Sequence, residues 1–465
     1  MAAEKSINVL SLGKNPVQTV LLLSWPAIIE QIMLTMVNYV DTAMVGSLGA
    51  HATAAVGITA SCLNLLNGLF AAFGVGFSIQ VAQNIGAGDY EECRLAIRQA
   101  VLSVFSFGIL VTLLCQAVAS PLPVWLGADP GIVEDAGAYF RIISSIMVLH
   151  MGSAVYSAIL RCSGDTKTPM LLNVLTNVLN VILNTLFIFP TKTYQSFLGP
   201  ITLPGLGWGV RGAATASAIS MGTIGLLLLI TTFRRKGEAH ISLRQDWRFS
   251  PHIWRTAAYF GLPVAFERFT ISFGAIIYTT MVSRLGTVAL AAHTIANTAE
   301  GISYLPANGI QFAATTLVGQ AKGAEDREMA FRFGRIVTRM GLILGAVMLV
   351  VLFIFAEPLV SIFTSDPQVI HFASGVLRIE ALIQPLLNAS IVLVGVMRGG
   401  GDVRYQFFVS LFCMWGIRLV SAYVLAFPCG LGIYGIWCGM ATDLGMRGVL
   451  NLLRFRTGKW YRDVG

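Results

Sequence analysis

The sequence predicts an all-α membrane protein in which twelve transmembrane helices form two pseudo-symmetric six-helix lobes, arranged as a parallel repeat. Three observations predict this fold: long apolar runs, the distribution of basic residues between loops, and an internal repeat. Of the 465 residues, 55% are hydrophobic and only 12% are charged, whereas soluble domains carry about 25% charged residues. The composition therefore argues against a soluble fold.

Apolar runs of about 20 residues, the length that crosses the hydrocarbon core of a bilayer, occur twelve times and are called spans 1 to 12. In the first half of the chain they lie near 16–42, 52–82, 96–119, 136–160, 169–190 and 208–233. In the second half they lie near 254–283, 288–318, 334–356, 369–397, 406–427 and 432–453. The first run is longer than the apolar core of a signal peptide, so we predict that it is retained as a helix.

Basic residues concentrate on one side of these spans. Of the 31 Lys and Arg residues, five lie within spans, and only Lys192, Arg211 and Arg284 lie opposite the N-terminus. Cytoplasmic loops are the ones that carry an excess of Lys and Arg. We therefore predict that both termini are cytoplasmic in a plasma membrane of the bacterial inner-membrane type. Because this topology explains the net charge of +8, we expect no nucleic-acid partner.

An internal repeat is found when the chain is aligned with itself at a spacing of 237 residues. The alignment runs without a gap from Pro26 over Pro263 to Asp165 over Asp402. Each copy contains six spans, an even number, so both copies enter the membrane in the same orientation. Copies of this kind are related by a pseudo-two-fold axis along the membrane normal.

The repeat also predicts domain organisation and a mode of action. We predict an N-terminal lobe at 1–233, a cytoplasmic linker at 234–255 and a C-terminal lobe at 256–465. Transporters built from two such halves bind substrate near the midplane between them and alternate access by rocking one half against the other. The sequence therefore favours a transporter that works by alternating access.

Several motifs carry a resemblance to a known family. They are P-x-x-x-E at Pro26–Glu30, D-T-x-x-V-G-x-L-G at Asp41–Gly49, R-x-S-G-D-T-K-T-P at Arg161–Pro169, V-A-L-A-A-H-T-I at Val288–Ile295, G-Q-x-x-G-A at Gly319–Ala324 and M-R-G-G-G-D at Met397–Asp402. Together they resemble the multidrug and toxic compound extrusion (MATE) family over nearly the whole chain.

The resemblance implies an antiporter, driven by a gradient of H+ or Na+, that exports amphiphilic cationic small molecules or drugs. The alternatives are export of an organic acid or a lipid-linked intermediate, which a cleft rich in Arg and Lys would favour, and a membrane-embedded enzyme. We expect no enzyme activity because the sequence has no cluster of nucleophile, base or metal ligands. We expect a monomer whose partners are the lipid bilayer and its substrate, with the coupling ion as the sole cofactor.

The candidate coupling-ion site lies in the N-terminal lobe. Asp41 is an intramembrane carboxylate near the outer end of span 1, and its repeat mate is Tyr278. The resemblance implies that Asp41 meets polar residues of spans 5 and 6 in a cation site. Asn180 and Asn184 are four residues apart and share one helix face, and Thr215 offers a hydroxyl. These oxygens could bind Na+, or Asp41 alone could carry a proton.

Three glutamates are candidates for a substrate or coupling site in the C-terminal lobe. Glu267 aligns with Glu30, which favours a repeated structural contact, whereas Glu300 and Glu380 align with apolar residues. The latter two could face the cleft and attract cationic drugs. The sodium-coupled family members resembling norfloxacin extruders carry carboxylates where this chain has Ile271 and Leu387. The chain is therefore more similar to the DinF-like branch.

One further pair is predicted from helical spacing. Asp443 and Arg447 lie at i and i+4 in span 12, which places them on one helix face. We predict that they neutralise each other inside the membrane.

The predicted topology is tested by labelling a single cysteine in the 234–255 linker, after replacement of the seven native cysteines. We expect no reaction with a membrane-impermeant maleimide in intact cells and full reaction after permeabilisation, because the six basic residues of the linker hold it in the cytoplasm. A cysteine at Lys192, on the opposite side, is the control and should react in intact cells. Labelling of the linker in intact cells would contradict the topology.

Overall fold

The computed structural model describes residues 15–196, 199–234, 240–242 and 245–462. The predicted linker is therefore described only in part, and its basic residues Arg235, Lys236 and Arg244 lie outside the described residues, as do Lys5 and Lys14 near the N-terminus.

The first half contains eight helices and one hairpin. They are α1 (Pro16–Gly46), α2 (Ala50–Ala87), α3 (Tyr90–Val118), α4 (Leu122–Trp125), α5 (Val133–Ser144), α6 (Met147–Cys162), α7 (Lys167–Ile188), β1 (Pro190–Ser196), β2 (Gly199–Leu206) and α8 (Gly209–Arg234). The strands are antiparallel, with Pro190 opposite Leu206 and Ser196 opposite Gly199.

The second half repeats the helical order without a described hairpin. It contains α9 (Pro251–Ser283), α10 (Thr287–Gly323), α11 (Arg327–Ile354), α12 (Ala356–Ser361), α13 (Pro367–Ala381), α14 (Gln384–Gly399), α15 (Val403–Leu411), a π-helix (Phe412–Arg418), α16 (Leu419–Ala426) and α17 (Gly432–Arg456).

Each predicted span coincides with a helix or a bent helix pair. Within the described residues, eight helices are long and apolar enough to cross a membrane, and two bent pairs add two further spans. The remaining two predicted spans are occupied by α10 and α17, which are helices of 37 and 25 residues. Spans 4 and 10 are therefore not continuous, since α5 and α6 meet at 52° and α13 and α14 at 60°.

The two halves share local structure at the predicted spacing. The bend between Ser144 and Met147 recurs between Ala381 and Gln384, which are the residues 237 positions later. The helix starts agree as well. Asp89 caps α3 by accepting from the Glu92 amide at 3.0 Å, and its repeat mate Asp326 caps α11 by accepting from the Met329 amide at 2.8 Å. Such caps satisfy amides that have no partner within the helix.

The pseudo-two-fold relation is visible where α2 crosses α10. A Cβ atom added to Gly86 would collide with the carbonyl of Gln320, and one added to Gly323 would collide with the carbonyl of Gln83. Gly323 and Gln320 are the repeat mates of Gly86 and Gln83. A reciprocal contact of this kind is the mark of a two-fold axis. Since α2 and α10 occupy the same position in the two halves, the contact agrees with the predicted pseudo-two-fold relation between the halves.

A buried ion pair joins the first helix of each half to the helix after its bend. In the first half, Arg161 Nη1 of α6 lies 2.8 Å from Glu30 Oε1 of α1. Asn173 of α7 donates to the same carboxylate oxygen at 3.0 Å. Both charged side chains are almost fully buried. The pair therefore ties three helices together.

The second half contains the same arrangement at the repeat positions. Arg398 of α14 pairs with Glu267 of α9 at 3.4 Å, and Ser410 of α15 donates to Glu267 at 3.0 Å. Ser410 is the repeat mate of Asn173. The interpretation of Glu30 and Glu267 as a repeated structural contact is thus confirmed by the geometry of both sites.

The halves pack closely at the end of the bundle that holds the described ends of the chain. A Cβ atom on Gly309 of α10 would lie 2.6 Å from the Ile28 backbone nitrogen of α1. The equivalent contact brings α2 against Gly261 of α9. Gln320 Nε2 also donates to the Cys162 carbonyl at 3.1 Å. These close approaches between halves lie in the first half of α1 and α9 and in the second half of α2 and α10.

Removal of either buried carboxylate should destabilise the fold. We expect Glu30→Gln and Glu267→Gln each to lower the unfolding free energy by about 3–5 kcal/mol, because each leaves a buried arginine without its counter-charge. The measurement is thermal unfolding of the purified protein in detergent. The matched control is Glu91→Gln, which removes an exposed partner of Arg94 and should cost at most about 1 kcal/mol. Equal shifts in all three variants would contradict the prediction.

Candidate functional site

Asp41 lies near the end of α1 and receives hydrogen bonds from two other helices. Asn184 Nδ2 of α7 donates to Asp41 Oδ1 at 2.5 Å, and Ser217 Oγ of α8 donates to Asp41 Oδ2 at 3.3 Å. The Asn184 amide nitrogen also donates to Asn180 Oδ1 at 3.0 Å. The structure therefore brings Asp41, Asn180 and Asn184 together, as the sequence predicted, and both donors to the carboxylate are neutral.

Thr215 is not part of this contact set. Its hydroxyl donates to the Arg211 carbonyl of its own helix at 2.8 Å, and the hydroxyl at Asp41 belongs to Ser217. Two residues along an α-helix correspond to a rotation of about 200°, so the two hydroxyls leave α8 on nearly opposite sides. The predicted Thr215 contact is wrong because the rotation of α8 about its axis is set by packing against α7, which no local sequence pattern reveals.

The Asp41 cavity is the space beside this carboxylate in the N-terminal half. It has a volume of about 400 Å³, and Asp41 is the one carboxylate among the described residues that line it. The other polar lining residues include Asn64, Asn67 and His150, and His150 Nε2 lies 2.6 Å from Asn67 Oδ1. The cavity therefore surrounds a single titratable acid with neutral polar groups and apolar side chains.

The same site has some of the ligands that a hard cation requires. Asn184 Oδ1 is buried and has no hydrogen-bond partner among the described residues. Together with the Asp41 carboxylate and Asn180 Oδ1 it offers oxygen ligands of the type that Na+ and Ca2+ bind. In the observed arrangement, however, the amide nitrogen of Asn184 faces Asp41. A cation in contact with both residues would require rotation of that amide.

Glu300 and Glu380 meet in the interior of the second half. They are 1% and 0% exposed, and their carboxyl groups lie close enough to interact electrostatically. Two ionised carboxylates in one buried site repel each other, which favours a proton on one of them. Tyr304 donates to Glu300 as well. The two glutamates are therefore brought together, but buried rather than exposed to a cleft.

Two arginines and a third carboxylate lie beside this pair. Asp443, which is fully buried, is 2.8 Å from Arg418 Nε and 2.7 Å from Arg447 Nε. The predicted pairing of Asp443 with Arg447 is confirmed. With Glu300 and Glu380, the cluster contains three carboxyl groups and two guanidinium groups. A proton on one of the glutamates would make the buried cluster electrically neutral, which a low-dielectric interior favours.

Glu267 is linked to this cluster through one hydroxyl group. Ser410 Oγ accepts from Arg447 Nη1 at 3.2 Å and donates to Glu267 Oε1 at 3.0 Å. A continuous buried network therefore runs from Arg398 and Glu267 to Asp443. The sequence did not predict that Ser410 and Arg418 belong to this network, because their partners lie on other helices.

Comparison with known proteins now identifies the family. The MatE family model matches residues 26–186 and again 263–424, and the starts of these two matches are separated by the 237-residue repeat spacing. The chain belongs to the MatE family. It is 31% identical over 444 residues to a probable multidrug resistance protein NorM of Thermotoga maritima, covering 94% of this chain and 92% of that protein.

Solved structures with this fold support the MatE architecture. A crystal structure of MATE in complex with MaD3S matches with a TM-score of 0.89 at 23% identity and covers 98% of each chain. A MOP superfamily transporter from Pyrococcus furiosus matches with a TM-score of 0.89 at 24% identity, over 99% of this chain and 100% of that one. These likenesses and the twofold MatE match confirm the twelve-helix, two-lobe fold, and the chain is a multi-pass membrane protein.

The charge balance of the buried cluster can be tested by stability. We expect Glu380→Gln to change the unfolding free energy little, because a glutamine, like a protonated carboxyl group, is neutral and can donate to Glu300. Asp443→Asn should cost about 3–5 kcal/mol, because it leaves two buried arginines with reduced counter-charge. Both are measured by thermal unfolding in detergent. If Glu380→Gln were as destabilising as Asp443→Asn, a proton on this pair would be ruled out.

Proposed function

We propose that this MatE family member exports amphiphilic small molecules from the cytoplasm by alternating access, in exchange for protons that bind at Asp41. The observation that carries this proposal is the Asp41 site, where a single carboxylate is held by two neutral donors from α7 and α8 in a cavity of about 400 Å³. The name of the Thermotoga maritima relative, a probable multidrug resistance protein, supports drugs as the substrate class.

A proton fits the Asp41 site better than a sodium ion. A proton neutralises the one carboxylate directly and needs no other ligand. A sodium ion requires several oxygen ligands, but Asn184 presents its amide nitrogen to Asp41 and to Asn180 Oδ1. The second carboxylate that would strengthen cation binding is absent, since residue 184 is an asparagine. Sodium coupling remains the alternative that the transport assay below distinguishes.

Alternating access is supported by the way the halves meet. They are packed together through α1 against α10 and α2 against α9 near the described ends of the chain. With both termini in the cytoplasm, as the basic residues indicate, this arrangement is closed toward the cytoplasm. Protonation of Asp41 would weaken its electrostatic hold on the Asn184 and Ser217 donors. The hydrogen bonds between α1, α7 and α8 therefore depend on whether Asp41 is protonated. This dependence couples the proton gradient to the packing of the three helices. We propose a monomer for this cycle.

The buried cluster of the second half is the second candidate coupling site. A proton on one of the neighbouring carboxyl groups of Glu300 and Glu380 would give this cluster a group that gains or loses charge during transport. Both side chains are sealed from solvent in the described state, whereas Asp41 lines a cavity. Proton exchange at the pair would require a larger rearrangement, so Asp41 is preferred.

We expect Asp41→Asn to abolish efflux driven by a proton gradient while leaving substrate binding and protein yield near wild type. The amide keeps the shape of the carboxylate but cannot exchange a proton. The measurement is uphill efflux of a fluorescent amphiphilic drug from proteoliposomes, with proton and sodium gradients imposed separately. Ser217→Ala should weaken coupling, and Thr215→Ala is its matched control because, among the described residues, the Thr215 hydroxyl bonds only within its own helix.

The separately imposed proton and sodium gradients distinguish the alternative coupling ions and coupling sites. Efflux driven by a sodium gradient alone would show that the coupling ion is Na+ and not the proton. Wild-type efflux by Asp41→Asn under either gradient would exclude the N-terminal site and leave the Glu300–Glu380 pair as the coupling group.

A further inference from the structure

Arg268 is a charged residue at the middle of a membrane-spanning helix. It lies in α9, which runs from Pro251 to Ser283, so each helix end is more than about 20 Å away at 1.5 Å per residue. This distance is beyond the reach of an arginine side chain, so Arg268 cannot extend to the membrane surface. Ionisable groups at this depth are costly and face an interior cavity or a partner.

The side chain of Arg268 crosses from the second half to the first. A Cβ atom on Gly68 of α2 would lie 3.4 Å from Arg268 Cβ and 3.6 Å from Arg268 Cγ. The aliphatic stem of the arginine therefore rests on the α2 backbone, where glycine leaves room for it. This contact holds the side chain between the two halves.

The Arg268 cavity lies at this crossing and has a volume of about 370 Å³. Its polar lining residues are Arg268, Ser272, Asn64 and Asn67, and Phe269 contributes an aromatic wall with leucines of α2. Asn64 and Asn67 also line the Asp41 cavity, so the two cavities adjoin. The interface between halves thus combines hydrogen-bond donors with an apolar surface.

Arg268 carries a positive charge that the protein does not neutralise. Among the residues that the structure describes, no hydrogen bond, ion pair or aromatic contact engages its guanidinium group. The neighbouring carboxylate, Glu267, is buried and already pairs with Arg398 and Ser410. Glu300 and Glu380, which were expected to attract cations, are sealed inside the second half. Among the described side chains that line the two adjoining cavities, Asp41 is therefore the acid and Arg268 is the base. The other polar lining groups are neutral.

We propose that Arg268 binds a carboxylate group of the transported amphiphile. A guanidinium group presents a planar fork of N–H donors that matches a carboxylate with two parallel hydrogen bonds. The amides of Asn64 and Asn67 can donate to the remaining carboxylate lone pairs. The apolar body of the substrate lies against Phe269 and the α2 leucines. The inference rests on the proposed export function and narrows its substrate class to carboxylate-bearing amphiphiles, including zwitterions.

The test compares two ligands of the same shape that differ in charge. Binding of naphthylacetate and naphthylacetamide to the purified full chain in detergent is measured by isothermal titration calorimetry. We expect the wild type to prefer the carboxylate by roughly tenfold or more in Kd, as a charge-assisted pair in a partly dehydrated cavity requires. Arg268→Gln should remove this preference while leaving naphthylacetamide affinity nearly unchanged. Arg268→Lys, which keeps the charge but not the fork, should give an intermediate preference.

The control variant is Arg284→Gln, which removes an exposed arginine at the end of the same helix. It should retain the wild-type preference, so a loss confined to Arg268 variants cannot be ascribed to net charge. Equal affinity of the wild type for both ligands, absence of carboxylate binding, or retention of the preference in Arg268→Gln would each overturn the inference. Failure of the export function would instead appear as absent gradient-driven efflux of any compound, with the binding preference intact.

Discussion

The fold depends on one interaction that occurs twice, the buried pair between a glutamate of the first helix and an arginine after the bend of each half. Glu30 with Arg161 and Glu267 with Arg398 are placed where neither charge can reach water. An isolated charge in that position is costly, so each glutamate requires its arginine helix in place before the half can form.

The candidate coupling groups occur where the repeat departs from symmetry. Asp41 aligns with Tyr278, whose hydroxyl donates to the Ile436 carbonyl at 2.9 Å in a packing contact. Glu300 and Glu380 align with Leu63 and Ile143. The shared interactions thus maintain the scaffold, and the unshared ones supply titratable groups. In the first half the unshared carboxylate lines a cavity, whereas in the second half the unshared carboxylates are buried in a cluster with two arginines.

Sequence reasoning recovered what local pattern and repeat spacing encode, namely twelve spans, the two-fold relation, and the shared face of Asn180 and Asn184. It could not recover features set by contacts between helices. The rotation of α8 brings Ser217, not Thr215, to Asp41. The bends after Ser144 and Ala381 interrupt runs that the sequence predicts as single helices. Predicting the buried cluster required knowing that α10, α13 and α17 meet, because its members are separated by up to 147 residues along the chain.

The reciprocal contact between α2 and α10 has the form of a homodimer interface, in which one surface meets its own copy. Two separate six-helix chains could make it, but any change in one copy would then appear in the other. Joining the copies in one chain removes that restriction, since the residues of each half are then encoded separately. A fused dimer can therefore hold an acid at residue 41 and a tyrosine at residue 278 while the glycines at the axis stay paired. Covalent fusion therefore permits the two halves of a symmetric scaffold to carry different side chains at equivalent positions and so to take different roles.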